Sequence, residues 1–243
     1  MSTFLTAEWR KLIMAQYAVD PAILAPWLPS GVELDLFQDR CYVSLIGFLF
    51  DRVRVKGLSI PFHTCFEEVN LRFYVVRTEP GGARKRGVVF IREFVPRAAI
   101  AFIANSLYEE PYAALPMGHT ILATPDSLFV SYRWGRRGNS QRLTVEALPI
   151  SRAIAPGSEE EFITEHYWGY TKRSNGSTSE YAVQHSRWQV YPIRSFSVEV
   201  NFASTYGPVF AHLAHQAPAS VLLAEGSAVS VSTGARLPPD PLK

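Results

Sequence analysis

The sequence predicts a β-dominated α+β fold. Three observations predict it: repeated runs of β-branched and aromatic residues, turn-rich links between them, and a 47% hydrophobic content that supports a sizeable core. Charged residues make up 19% of the 243-residue chain, which excludes wholesale disorder. At this length one large domain is the expectation, spanning 1–243.

Along the chain, Asp20-Pro21 reads as an N-cap followed by proline at the first helical position, opening a short helix that Trp27-Leu28-Pro29 ends. After the Ser30-Gly31 turn come strand-like runs at 32–37, 41–55, 65–78 and 87–95. A helix is predicted over 97–110 from its apolar spacing, then strands at 128–134 and 142–148. Ser158 and three following glutamates favour the positive start of a second helix over 158–170. Residues 172–179 read as a polar loop between that helix and strands at 180–185 and 195–202. A weaker helix at 208–216 precedes a last strand at 220–232. Short links such as Asp39-Arg40, Pro80-Gly81-Gly82 and Gly138-Asn139 imply antiparallel hairpins closing into a barrel or a sandwich.

Composition excludes several classes. The balance of 24 basic against 22 acidic residues leaves +2, far from the field of a dedicated nucleic-acid binder. Two cysteines are too few for a disulfide scaffold, and the first residues lack the order of a signal peptide, so a cytoplasmic setting is expected. The longest nearly apolar run, 41–50, is about half of what a bilayer-spanning helix needs, so no membrane span is expected. His212 and His215 have metal-compatible spacing, but no third ligand or zinc motif accompanies them, and no metal is expected. Dinucleotide, phosphate-loop and nucleophile-elbow fingerprints are all missing, so no cofactor is expected.

Candidate site residues come from two segments. In 66–75, strict alternation sends Val69, Leu71, Phe73 and Val75 to one face, and Glu68, Asn70, Arg72 and Tyr74 to the other. That polar face is either a solvated surface or the wall of a ligand cavity, and a buried arginine would need an acidic partner or an anion. The segment FIREFVPRAAIA (90–101) carries Arg92 and Glu93 on a strand broken at Pro96, then enters a helix through Arg97. It reads either as a surface Arg–Glu junction or as the mouth of a barrel where Glu93 and Arg97 meet an anion. Later, His166, Tyr167, Trp168 and Tyr170 cluster on the second helix, and Tyr181, Val183, His185 and Arg187 share one strand face. A lone histidine such as His185 is more often structural than catalytic.

Taken together, PSGVELDLFQDRCYVSLIGFLF (29–50), FEEVNLRFYV (66–75), RGVVFIREFVPRAAIAFIA (86–104), FITEHYWGYT (162–171) and YAVQHSRW (181–188) resemble the YqjF-like family of uncharacterised bacterial proteins. That family resembles the acetoacetate decarboxylase-like superfamily, which implies a closed, cone-shaped antiparallel β-barrel with a few short flanking helices. The resemblance would turn Glu68, Asn70 and Arg72 inward. It also implies an Arg-Glu strand followed by Pro-Lys-Lys, whose first lysine forms a Schiff base with the substrate ketone. Here Pro96-Arg97-Ala98 follows Arg92-Glu93, so Arg97 stands where the nucleophile is expected. A guanidinium stays protonated and cannot form an imine. The chain has five lysines against 19 arginines, and neither Lys85 in its basic turn nor Lys172 in its loop supplies a convincing substitute.

The expectation is therefore a pocket for a small carboxylate or keto acid. Arg97 and Glu93 are the candidate catalytic residues, and Glu68, Asn70, Arg72, Arg92, Tyr167 and His185 the candidate ligand-binding ones. Three readings remain open: a lyase or proton-transfer enzyme without covalent catalysis, a non-catalytic sensor or carrier, and a filled barrel with a purely structural role. Homo-oligomerisation is compatible with the resemblance.

Overall fold

The first strand is long and was not evident from the sequence. The computed structural model describes residues 2–59, 63–98 and 109–238. It opens with β1 (Thr3–Val19), whose alternation is interrupted by a bulge in its register with the third strand, near Lys11 at φ 53°. One extra residue shifts the later side chains to the other face, so a period-2 reading fails across the interruption.

Short β2 (Glu33–Leu34) follows the 3-10 turn Pro21–Leu24, which Asp20 caps by accepting the Ala22 N–H at 2.9 Å. Then come β3 (Cys41–Val55), β4 (Phe66–Thr78), β5 (Arg84–Val95) and β6 (Tyr112–Ala114). A second group comprises β7 (Met117–Ala123), β8 (Leu128–Arg136) and β9 (Asn139–Ala147). The rest are β10 (Arg152–Ala153), β11 (Trp168–Lys172), β12 (Thr178–His185), β13 (Gln189–Tyr191), β14 (Ile193–Glu199), β15 (Ser220–Ser232) and β16 (Ala235–Leu237). The predicted hairpin tips are turns: Gln38 and Asp39 both take positive φ, as do Gly82 and Gly138.

The strands form two sheets. In the larger one β15-β1-β3-β4-β5-β11-β12 are successive neighbours, and β12 pairs back onto β15 through Val183–Val231, Gln184–Ser230 and His185–Val229. The expectation of wholly antiparallel pairing needs correction, because β5 runs parallel to both β11 and β6. The second sheet has the order β14-β9-β8-β7. Its Val130, Tyr132, Trp134, Leu143 and Val145 pack in one apolar cluster with Val69, Leu71, Phe73 and Val75 of β4. Burying the odd face of β4 in this way leaves its even face for the opposite side of the larger sheet.

Helices are few. The second predicted helix stops at Thr164 rather than 170: it covers Glu159–Thr164, with Ser158 accepting the Glu161 N–H at 3.2 Å, and the aromatic run after it becomes β11. Pairing of Trp168 and Gly169 with Gly87 and Val88 of β5 wins over the helical spacing. A short helix at Phe202–Tyr206 leads to a 3-10 segment, Pro208–His215, where the third helix was predicted. Most of the helix predicted over 97–110 lies outside the described residues.

Candidate functional site

On the even face of β4 the sequence places Glu68, Asn70 and Arg72, and all three are buried against a cavity of about 240 Å³. Across the ladder Asn70 pairs with Glu93, and Arg72 with Phe90, so β5 completes this wall. Glu93 is 0% exposed, and among the described residues neither carboxyl oxygen meets a partner at hydrogen-bond geometry, although the Tyr112 hydroxyl acts on it. Glu68 accepts hydrogen bonds from Asn70 Nδ2 at 2.9 Å and from the Tyr112 hydroxyl at 3.1 Å. A third carboxyl, Glu110, accepts from the Tyr181 hydroxyl on β12.

These three acids do not behave as ordinary carboxylates. Burial raises Glu68 to about 7 against the pull of Asn70, Tyr112 and Arg72. Burial likewise raises Glu110 to about 7, against the Tyr181 hydrogen bond. Burial, reinforced by the charges of Glu110 and Glu68, pushes Glu93 well above the carboxylate range against the pull of Tyr112 and Arg72. Arg72 is 9% exposed; its Nε has no partner, and among the described residues its guanidinium forms no ion pair. It sits over the Tyr74 ring at 5.7 Å, leaving its donors to the cavity.

The remaining walls are apolar, aliphatic and aromatic together. Trp9 meets Phe48 at 5.3 Å and Phe50 at 5.9 Å, edge-on, and Phe50 stacks on Phe66 at 4.8 Å. His185 stacks on Trp188 at 4.4 Å, and both line the cavity with Tyr181 and Val183. The alternation read in β12 thus brings Tyr181, Val183 and His185 to one surface. Arg187 lies beyond the strand end, exposed and paired with Glu161.

Other candidate residues fall elsewhere. Arg97 is exposed and does not line the cavity. Its chain position after Pro96 lies past the end of β5, where strand alternation no longer dictates which way a side chain points. Arg92 is also exposed; its guanidinium donates to the Thr205 carbonyl at 3.2 Å instead of entering the cavity beside Glu93. Tyr167 is not a wall residue either: its hydroxyl donates to Glu165 and its ring lies 4.7 Å from His185. Conversely, Trp9, Glu110, Tyr112 and His166 line the cavity although none was singled out as a ligand residue. Trp9 sits on the unrecognised β1 and Glu110 at the end of the predicted helix. Only His166 had a signal, the aromatic cluster around it.

Lysines are missing from this wall. Lys11 pairs with Glu225, Lys85 with Glu79 and Glu180, Lys172 donates to the Pro26 carbonyl, and Lys56 is exposed. Among the described residues no amine reaches the cavity.

A family profile for uncharacterized conserved proteins, DUF2071, matches residues 6–228. The chain belongs to the DUF2071 family. The uncharacterized protein YqjF of Bacillus subtilis (strain 168) is 35% identical to it over 186 residues, covering 74% of this chain and 72% of that protein. Among solved structures, acetoacetate decarboxylase from Legionella pneumophila superposes with a TM-score of 0.63 at 12% identity, covering 100% of this chain and 90% of its own. The enduracididine biosynthesis enzyme MppR, complexed with pyruvate, superposes with a TM-score of 0.57 at 14% identity, covering 98% and 89%. This DUF2071 chain therefore has a β-dominated fold of the acetoacetate decarboxylase type.

Proposed function

We propose that the chain is one domain whose larger sheet acts as a closed barrel, and that its cavity binds a small carboxylate or keto acid and moves a proton on it without forming an imine. One observation carries the reading: a buried guanidinium and a buried carboxyl, Arg72 and Glu93, line the same cavity, and among the described residues Arg72 Nε and both Glu93 oxygens meet no partner at hydrogen-bond geometry. Leaving such groups unpaired costs stability, so a ligand that satisfies them gains what the free protein forgoes. The pyruvate carried by the structurally similar MppR supports the same ligand class.

Arg72 holds the carboxylate. Glu93 donates its proton to the ketone oxygen while Glu68, which burial brings to about 7, takes a proton from the adjacent carbon, giving the enol. The absence of a cavity lysine among the described residues argues against covalent catalysis.

The test is exchange of the α-hydrogens of pyruvate and phenylpyruvate into deuterated water, followed by NMR alongside calorimetric binding. Exchange above background that falls about 100-fold in Glu93→Gln supports the enzyme. Binding without exchange makes the protein a carrier or sensor. Failure of both acids to bind at millimolar concentration overturns the carboxylate reading.

A further inference from the structure

His166 is 6% exposed on the cavity wall. Its ring is fixed against Tyr74 at 4.7 Å and Phe162 at 5.1 Å. Nε2 meets Asp35 Oδ2, of a residue that does not line the cavity, at 3.1 Å, and the same oxygen accepts from Arg86 Nε at 2.6 Å. Burial pushes Asp35 up, but the His166 hydrogen bond and the Arg86 pairing outweigh it, so the carboxyl stays ionised. A carboxylate accepts only, so the proton of the neutral ring resides on Nε2. Nδ1 is then a bare lone pair, buried and, among the described residues, without a partner.

Asn70 Oδ1, on the same wall, is a second acceptor with no partner among the described residues. A plain keto acid has only acceptors to offer and satisfies neither. The missing ligand group must donate. At His166 the positive charges of Arg86 and Arg72 oppose an ammonium while Asp35 favours one, so charge gives an ammonium no clear advantage there. A hydroxyl donates without adding charge.

We propose that His166 Nδ1 accepts a hydrogen bond from a hydroxyl of the ligand, which makes the physiological ligand a hydroxy-substituted carboxylic acid with its carboxylate on Arg72. This rests on the reading of the cavity as a carboxylate site and narrows it. His166 thereby becomes the residue that selects for the hydroxyl, held in its tautomer by Asp35. The aromatic walls formed by Trp9, Phe48, Phe50 and Phe66 suit an apolar substituent on the same acid.

The experiment uses the full chain and a matched set of probes: 3-phenyllactate, 3-phenylpropanoate and phenylalanine. Calorimetry should give phenyllactate roughly tenfold tighter binding than phenylpropanoate, the size of one buried hydrogen bond, and the preference should shrink below threefold in His166→Phe. In the wild-type protein, with no substitution to disturb folding, the ¹⁵N resonance of His166 Nδ1 should move with phenyllactate and stay put with phenylpropanoate. Equal affinities, an unmoved Nδ1 resonance, or a preference for phenylalanine overturns the hydroxyl assignment and leaves the carboxylate reading standing. If none of the acids binds while Arg72 is intact, the carboxylate reading falls and takes this inference with it.

Discussion

Asn70 and Glu93 stand directly opposite one another across β4 and β5, both buried and both on the cavity wall. Phe90 faces the same cavity, three residues before Glu93. A regular strand alternates with period 2 and cannot bring both inward. The register supplies the missing residue: Leu71 pairs with Arg92 and Arg72 with Phe90, so Ile91 is skipped, as in a β-bulge. That single irregularity sends Arg92 out to Thr205 and Glu93 in.

Arg72 is the first place where binding and stability should separate. A buried guanidinium without an ion pair contributes little to folding, and replacing it by an apolar side chain of similar length removes a desolvation cost. In Arg72→Met the affinity for phenylpyruvate is expected to fall 10- to 100-fold while Tm stays level or rises. Calorimetry and thermal unfolding of the same preparation check this. Retained affinity with a lower Tm would make Arg72 a structural residue.

Much of this wall was legible, and the illegible part has definite causes. The polar face of β4 could be read because its alternation runs unbroken from Phe66, and β12 because Tyr181, Val183 and His185 obey the same period. Arg92 could not be placed, since a bulge leaves no trace in residue type alone. Trp9 lies on β1, which carries its own interruption near Lys11. Glu110 and His166 reach the cavity through non-local partners, Tyr181 and Asp35, that no local pattern announces. The short helix showed its start, with Ser158 and its glutamates, but not its end, which the pairing of β11 with β5 dictates.

The pH dependence of stability should have two opposing limbs. Glu68 and Glu110 are raised from 4.5 to about 7, so the folded state holds their protons more tightly, and the stability they give is lost as pH climbs from about 4.5 through 7. His166 is lowered from 6.5 to about 4, chiefly by burial, so its contribution is present above 6.5 and lost as pH falls toward 4. Urea unfolding across pH 4 to 9 is expected to show Glu68→Gln with a flatter alkaline limb, by about 1–3 kcal/mol at pH 8, and His166→Phe with a flatter acidic limb. Parallel profiles in all three proteins would contradict the assignment of these groups.

Gly169 should tolerate no side chain. A Cβ there would lie within 2.1 Å of the Tyr181 ring and 2.4 Å of its hydroxyl. Tyr181 would have to leave Glu110, exposing a buried carboxyl without its donor. Gly169→Ala is expected to cost about 1–3 kcal/mol and to weaken ligand binding together with stability, measured by denaturant unfolding and calorimetry. A neutral Gly169→Ala would show that the Tyr181 ring shifts freely.

The last prediction concerns the position where the nucleophile was expected. Arg97 is exposed and does not line the cavity with Glu68, Arg72 and Glu93, so an amine placed there lacks the burial that depresses a lysine pKa. Arg97→Lys should therefore give no borohydride-trapped adduct with pyruvate, and Arg97→Ala should change phenylpyruvate affinity by less than about twofold. Intact-mass spectrometry and calorimetry read the two outcomes. A trapped adduct confined to position 97 would mean that Arg97 reaches the cavity in solution, and the assignment of anion binding to Arg72 would then have to be shared with it.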